Sequence, residues 1–269
     1  MQIARLDSRA LIAIGGADWR SFLQGLITQD VESLADGELR FGALLTPQGR
    51  LLHDLFILGR PDGALLDVAR EGRDDLIRRL TLYRLRAKVG IEAFDAGQVF
   101  AAWPAPEAPD WPTDPRLPQL GARGYRVTQP EAPNATEADY VALCLAEGVP
   151  GPADWGTDAT YPIEANFDLL NGIDFQKGCF VGQETTSRMK RRGQVKSRML
   201  PVAFVGEAPG PGAEILAGDL RAGVVLSGAT GRAMALLRLD RAAGAALTAE
   251  ARPVTVDRPA WFEAALSPA

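Results

Sequence analysis

Apolar residues along this chain repeat at two periods, and the changes between them mark out the elements. Residues 11–16, LIAIGG, form a short apolar run closed by two glycines and predict a strand. Asp18 then stands where a helix N-cap belongs. Trp19, Phe22, Leu23, Leu26 and Ile27 follow at helical spacing, the stripe of a core-facing helix. FGALL and LLHDLFIL flank TPQG at 46–49, which predicts a hairpin with proline and glycine at the second and fourth turn positions. ALLDVA at 64–69 reads as a further strand. Over 73–87, Leu76, Leu80, Tyr83 and Ala87 share one helical face, after which KVGIE returns as a strand.

Punctuation by proline and glycine organises the rest. Between 103 and 118 stand Pro104, Pro106, Pro109, Pro112, Pro115 and Pro118, a density that excludes a helix or a central strand and marks 103–134 as a connection. A helix is predicted from Thr136, with Asp139 as its capping partner, ending at Gly148 before Pro150. After Val195, the runs LPVAFV, GVVLS and AMALLRL alternate with Gly/Pro turns, the pattern of a small antiparallel barrel or sandwich of about 75 residues. Strands and helices mixed with hairpins make the fold class α+β rather than a parallel Rossmann sheet.

Composition narrows the function. At 269 residues the chain is long enough for two or three packed units. No run of about 18 apolar residues and no export signal are visible, so no membrane contact is expected. With only Cys144 and Cys179, a disulfide framework is excluded and a reducing, cytoplasmic setting is expected. His53 is the single histidine, whereas a closed zinc or iron–sulfur site takes about four Cys/His ligands. No resident metal is expected; iron–sulfur chemistry would draw ligands from a partner, a second copy or a small thiol.

The net charge of −5 argues against a general nucleic-acid binder. Yet Arg188, Lys190, Arg191, Arg192, Lys196 and Arg198 follow one another with no acid among them. This strip is either a solvated helix end or a docking strip for an anionic ligand or partner. An RNA-docking module is one function class it leaves open, although no stable nucleic-acid complex is expected.

The stretch FQKGCFVGQETTSRMKRRG, 175–193, concentrates the candidate chemistry. Cys179 lies between Gly178 and Gly182, two residues after Lys177 and just before QETTSRMKRR, a predicted helix ending near Gly193. A helix N-terminus and a nearby ammonium both stabilise a thiolate. Cys144, inside the amphipathic helix, reads as core filler. No histidine is near Cys179 in sequence, which weakens a catalytic triad, and neither GxxxxGK[ST] nor GxGxxG occurs.

KGCFVGQE at 177–184 resembles the K-G-C-[FY]-x-G-Q-E signature of the YgfZ family of folate-binding proteins, relatives of the glycine cleavage T-protein aminomethyltransferase. FLQGLITQDV (22–31), LLTPQGRLLHDLFIL (44–58), YRLRAKV (83–89), LAEGVP (145–150) and YPIEANFDLLNGIDF (161–175) agree with it, as do GVVLSG and ALLRLD near the C-terminus. The resemblance implies a three-part ring of T-protein type with a small C-terminal antiparallel β-barrel, divided as a folate-binding region 1–193 and a barrel 194–269. It implies tetrahydrofolate, or a derivative such as 5-formyltetrahydrofolate, as cofactor, and iron–sulfur client or assembly proteins, including tRNA-modifying ones, as partners. Cys179 falls on the functional thiol, with Lys177 beside it; Gln183, Glu184 and Arg188 follow by direct match. Tyr140, Asp54 and Glu147 are the further folate contacts it implies, Tyr140 being either a pterin platform or plain core. His53–Asp54 stands where the aminomethyltransferases have two aspartates, and LAEG carries Glu147 one position beyond their glutamate, a rotation of about 100° on a helix. Both departures weaken the alternative of a folate-dependent aminomethyltransferase.

Overall fold

The computed structural model describes residues 1–104, 111–127, 133–193 and 195–266. Its strands are β1 (Gln2–Arg5), β2 (Arg9–Gly15), β3 (Leu39–Leu45), β4 (Leu51–Arg60), β5 (Gly63–Ala69), β6 (Gly90–Ala93), β7 (Gln98–Trp103), β8 (Ala122–Arg126), β9 (Ser197–Ala203), β10 (Glu214–Ala217), β11 (Leu220–Ala229), β12 (Arg232–Arg238), β13 (Leu247–Ala249) and β14 (Arg252–Val256). Its helices are α1 (Trp19–Gln24), α2 (Arg73–Arg84), α3 (Glu137–Ala146), α4 (Pro152–Trp155), α5 (Gln183–Arg192), α6 (Leu239–Ala242) and α7 (Ala260–Leu266).

Three sheets carry the architecture: β3-β4-β5-β2-β6, β1-β7-β8, and a closed barrel ordered β10-β11-β12-β9-β14-β13. Every named pairing is antiparallel. With helices laid against antiparallel sheets, the class is α+β, and closure of the last six strands removes their edges. The predicted hairpin is β3–β4; Gly49 takes φ 85° in its turn, and Thr46 N–H donates to Arg50 O at 2.8 Å.

Two helices differ from their predicted form. α1 stops at Gln24, so Leu26 and Ile27 enter the first core from irregular backbone. α2 stops at Arg84 instead of 87 because Leu85 leaves helical geometry (φ 45°, ψ −106°), and Tyr83 stands 43% exposed rather than in the core. The proline-rich 103–134 stretch is also more than a connection. Pro106 and Pro109 lie outside the described residues, but this stretch supplies β8 and the buried Asp114, Arg116 and Arg123.

Packing ties the units together. One core, including Leu23, Ile27, Leu44, Leu66, Leu76 and Leu80, joins α1 and α2 to the five-stranded sheet. A second includes Phe41 and Phe56 of that sheet, Trp155, Phe167 and Phe180 of the following segment, and Met199 and Met234 of the barrel. Full burial of each such side chain stabilises the fold by about 1.5–3 kcal/mol.

Candidate functional site

The KGCFVGQE loop is pinned on both sides of its cysteine. Upstream, Asp174 Oδ1 accepts from the N–H groups of Gln176 and Lys177 at 2.7 and 3.2 Å. Lys177 Nζ then reaches across to donate to the carbonyls of Gln24 and Ile27 at 2.7 Å and of Gln29 at 3.0 Å. Downstream, Phe180 is 7% exposed in the second core, while Val181 packs on the first. Gly182 takes φ 80° at the start of α5, and a Cβ there would stand 2.7 Å from Thr46 O and 2.9 Å from Gly49 Cα. Only glycine lets α5 begin this close to the β3–β4 turn. Cys179, between these anchors, is exposed and free. Gly178 needs no such account, because a Cβ there would meet nothing within 4 Å.

Lys177 is therefore not a free cation beside the thiol. Its three protons match three carbonyls, burial draws its pKa down to about 8 against the pull of Asp30, Asp174 and Glu32, and its direct work is holding the loop. His53 is not a thiol partner either. Its Nε2 lies 3.0 Å from Asp75 Oδ2 on α2, and burial lowers its pKa.

A second constellation, invisible in the sequence, joins the five-stranded sheet to β8 and α3. Arg9 pairs with Asp54 at 2.8 Å and with Asp67 at 2.6 Å; Arg123 pairs with Asp67 at 2.5 Å; Arg116 pairs with Asp114 at 2.8 Å. Tyr140 OH donates to Asp114 at 3.0 Å, and Arg123 lies 3.8 Å from the centre of the Phe56 ring. Burial alone would raise the Asp67 pKa, but the Arg123 and Arg9 charges hold it below the usual carboxylate range. Three aspartates and three arginines leave the cluster balanced, the condition under which buried charge is tolerated.

The residues expected to hold folate do not converge. Asp54 and Tyr140 are 4% and 5% exposed, with Asp54 Oδ2 bound to Arg9 and the Tyr140 hydroxyl to Asp114. Glu147 ends α3, where its carbonyl accepts from Trp261 Nε1 at 2.8 Å. Gln183 and Glu184 line an open groove of about 510 Å³ with Phe175, Ser187, Lys190 and Arg191, and Arg188 is exposed on α5. A pterin platform at Tyr140 does not fit this arrangement. The basic strip is likewise reduced: Arg198 is buried and bound to Asp168 at 2.6 Å, Lys190 stands 3.8 Å from the same carboxylate, and the Arg192 side chain lies outside the described residues. Among the described residues no group of three or more His, Cys, Asp and Glu could hold a metal ion, and no helix is long and apolar enough to cross a membrane.

Residues 196–264 match the family described as CAF17, C-terminal beta-barrel domain, in agreement with the closed barrel. The human iron–sulfur cluster assembly factor IBA57, mitochondrial, is 31% identical over 249 residues, covering 79% of this chain and 70% of that protein. The chain belongs to the IBA57 family. The IBA57 homolog of Coccidioides immitis is 36% identical over 246 residues, 77% of this chain and 58% of that protein; the homolog of Neurospora crassa is 31% identical over 241 residues, 78% and 55% respectively. The chain thus spans little more than half the length of these fungal relatives. A solved structure, glycine cleavage system aminomethyltransferase T from Bartonella henselae, superposes with a TM-score of 0.77 at 17% identity, over 97% of this chain and 86% of that one. That likeness shows the fold, α+β of T-protein type. The expectation of a cytoplasmic protein is overturned, since the IBA57 relatives are named mitochondrial. A low cysteine count excludes a disulfide framework but does not distinguish one reducing compartment from another.

Proposed function

We propose that this chain assists iron–sulfur cluster assembly or repair in client proteins through the Cys179 thiol, as a YgfZ-type member of the IBA57 family. The observation that carries the reading is an exposed, free thiol on a loop anchored by Lys177 on one side and by Phe180 and Gly182 on the other. The loop presents sulfur outward instead of burying it. One thiolate supplies one ligand to a cluster that needs about four, so the cluster is cargo shared with a partner, a second copy or a small thiol. We take 1–193 as the unit presenting the thiol and 194–269 as the barrel unit. Clients that modify tRNA are an extension carried by the resemblance alone.

The test is complementation of cells lacking their own family member, read as iron–sulfur enzyme activity under oxidative stress, with alkylation rates measured on the purified chain. Cys179→Ser should keep a melting temperature within a few degrees of the parent and fail to rescue; Cys144→Ser should rescue. Full rescue by Cys179→Ser, with Cys179 alkylated no faster than a free cysteine, would overturn the reading.

Reduced folate is the cofactor implied by the resemblance, and the burial of Tyr140 and Asp54 argues against it at those residues. Calorimetry with 5-formyltetrahydrofolate should give saturable binding that survives Tyr140→Phe; no heat at millimolar ligand would remove folate, and binding abolished by Tyr140→Ala, in a variant shown to be folded, would restore a pterin site there. The aminomethyltransferase alternative is weakened in the same way, since Asp54, its surviving carboxylate, is held by Arg9.

A further inference from the structure

The turn that ends α2 is built in a way the fold itself does not require. Residues 81–86 are all exposed, and within them Leu82, Tyr83 and Leu85 stand 68%, 43% and 89% accessible. Three large apolar side chains in four positions form a patch rather than the scattered exposure normal for a protein surface. Leu85 also carries a backbone φ of 45°, a conformation in which glycine would end the helix with less strain. Its side chain gains no burial within the chain in return.

Charge frames the same patch. From Leu76 to Ile91 there is no acidic residue, and five basic ones: Arg78, Arg79, Arg84, Arg86 and Lys88. Arg78 and Arg79 are bound to Asp75. Among the described residues the Arg84 side chain reaches the Val89 carbonyl, at 3.5 Å, and no side-chain ion pair holds Arg84, Arg86 or Lys88, although the Asp18 carboxylate sits on the Lys88 backbone N–H. On a chain of net charge −5 this is a local positive field around an apolar centre.

The patch and the Cys179 loop are each hydrogen-bonded to an end of α1. Asp18 Oδ2 accepts from the Lys88 N–H at 2.7 Å just before α1 begins, and the Gln24 carbonyl at its end takes Lys177 Nζ at 2.7 Å. A six-residue helix is about 9 Å long, so both features ride on one short rigid element.

We propose that residues 82–88 are a docking surface for an acidic protein partner, whose apolar side chains cover Leu82, Tyr83 and Leu85 while its carboxylates meet Arg84, Arg86 and Lys88. An apolar centre with a charged rim is the anatomy of a protein interface, whereas recognition of RNA phosphates has no use for Leu82 and Leu85. The acidity of the remaining surface directs such a partner here and away from other faces. Docking stands by itself; it rests on the reading above only in taking this partner to be the protein that meets Cys179.

The experiment replaces Leu82 in the full chain with the photo-crosslinker p-benzoylphenylalanine, and, as a reference, Val205, which is 91% exposed. Irradiation in cells should give one dominant adduct from position 82, identified by mass spectrometry as an acidic protein and absent from position 205. Arg84→Glu combined with Arg86→Glu should reduce that adduct more than about tenfold, and lysines in place of the partner's facing carboxylates should restore it. These side chains are exposed, so unchanged melting of the charge-reversed chain verifies that it folds. Adducts only with a second copy, only with RNA, equal at both positions, absent, or indifferent to charge reversal would each overturn the proposal. Cys179→Ser separates the two readings: the adduct should persist in it, and persistence alongside full rescue by that variant would sink the thiol reading and leave docking intact.

Discussion

At the scale of single residues, Lys177 and Cys179 divide their labour differently from what their adjacency implies. Two residues apart in the loop, they reach opposite environments, the ammonium into a cage of three carbonyls and the thiol into solvent. The caged lysine makes a pH prediction. In an unfolded chain a lysine titrates at about 10.4, and in the fold burial draws the Lys177 pKa down to about 8. Between those values the unfolded chain binds more protons, so stability rises with pH across that window. Denaturant unfolding of the parent against Lys177→Met, from pH 7.5 to 10.5, should show that rise, on the order of 2 kcal/mol, only in the parent. Equal slopes would mean that the ammonium titrates as an ordinary surface lysine.

At the scale of elements, the glycines of the motif separate structural from functional need. Gly182→Ala forces a Cβ against Thr46 O and Gly49 Cα at a left-handed φ, and should destabilise by about 1–3 kcal/mol. Gly178→Ala meets open space and should melt within about 2 °C of the parent. If Gly178→Ala nonetheless lowers rescue, its glycine serves whatever approaches Cys179. The α3 start makes an independent check: Thr136 and Asp139 form the reciprocal capping box, with bonds of 2.8 and 3.2 Å, and Thr136→Ala should cost about 1 kcal/mol by thermal or denaturant unfolding. The capping pair was legible in sequence because both partners lie within four residues. The early stop of α2 was not, since apolar spacing continues through Tyr83 and Ala87 while the backbone turns at Leu85.

At the scale of the molecule, the buried arginine–aspartate cluster holds two sheets and a helix in register. Asp67 is fully buried between Arg9 and Arg123. Asp67→Asn removes the anion and leaves two buried cations short of charge, which should destabilise by about 3–5 kcal/mol. Because the Asp67 pKa is held low in the fold, its contribution is present above the ordinary aspartate pKa and disappears as pH falls through the folded value. The Asp67→Asn variant should therefore show a shallower loss of stability on acidification than the parent; parallel curves would show that the cluster does not act as an ionised unit.

Features under local chemical control could be read directly from neighbouring residues. The hairpin follows from TPQG, the capping pair of α3 from Thr136 and Asp139, and the stop of α5 from Gly193, because each signal lies within a few residues of its partner; the short apolar runs after Val195 left barrel and sandwich both open, since closure pairs β9 with β14 and β10 with β13. KGCFVGQE likewise singled out Cys179 as one contiguous octapeptide. Folding in three dimensions sets which way Lys177 points, buries Tyr140 and Asp54 in a charge cluster, takes Arg198 from the basic strip into the core, and turns Leu82 and Leu85 outward. Each of those outcomes depends on partners remote in sequence: Lys177 meets Gln24, Arg9 meets Asp54 and Asp67, and Asp67 meets Arg123. The desolvation of a charge, and hence its role, is set by what the fold brings against it, and no window of neighbouring residues contains that information.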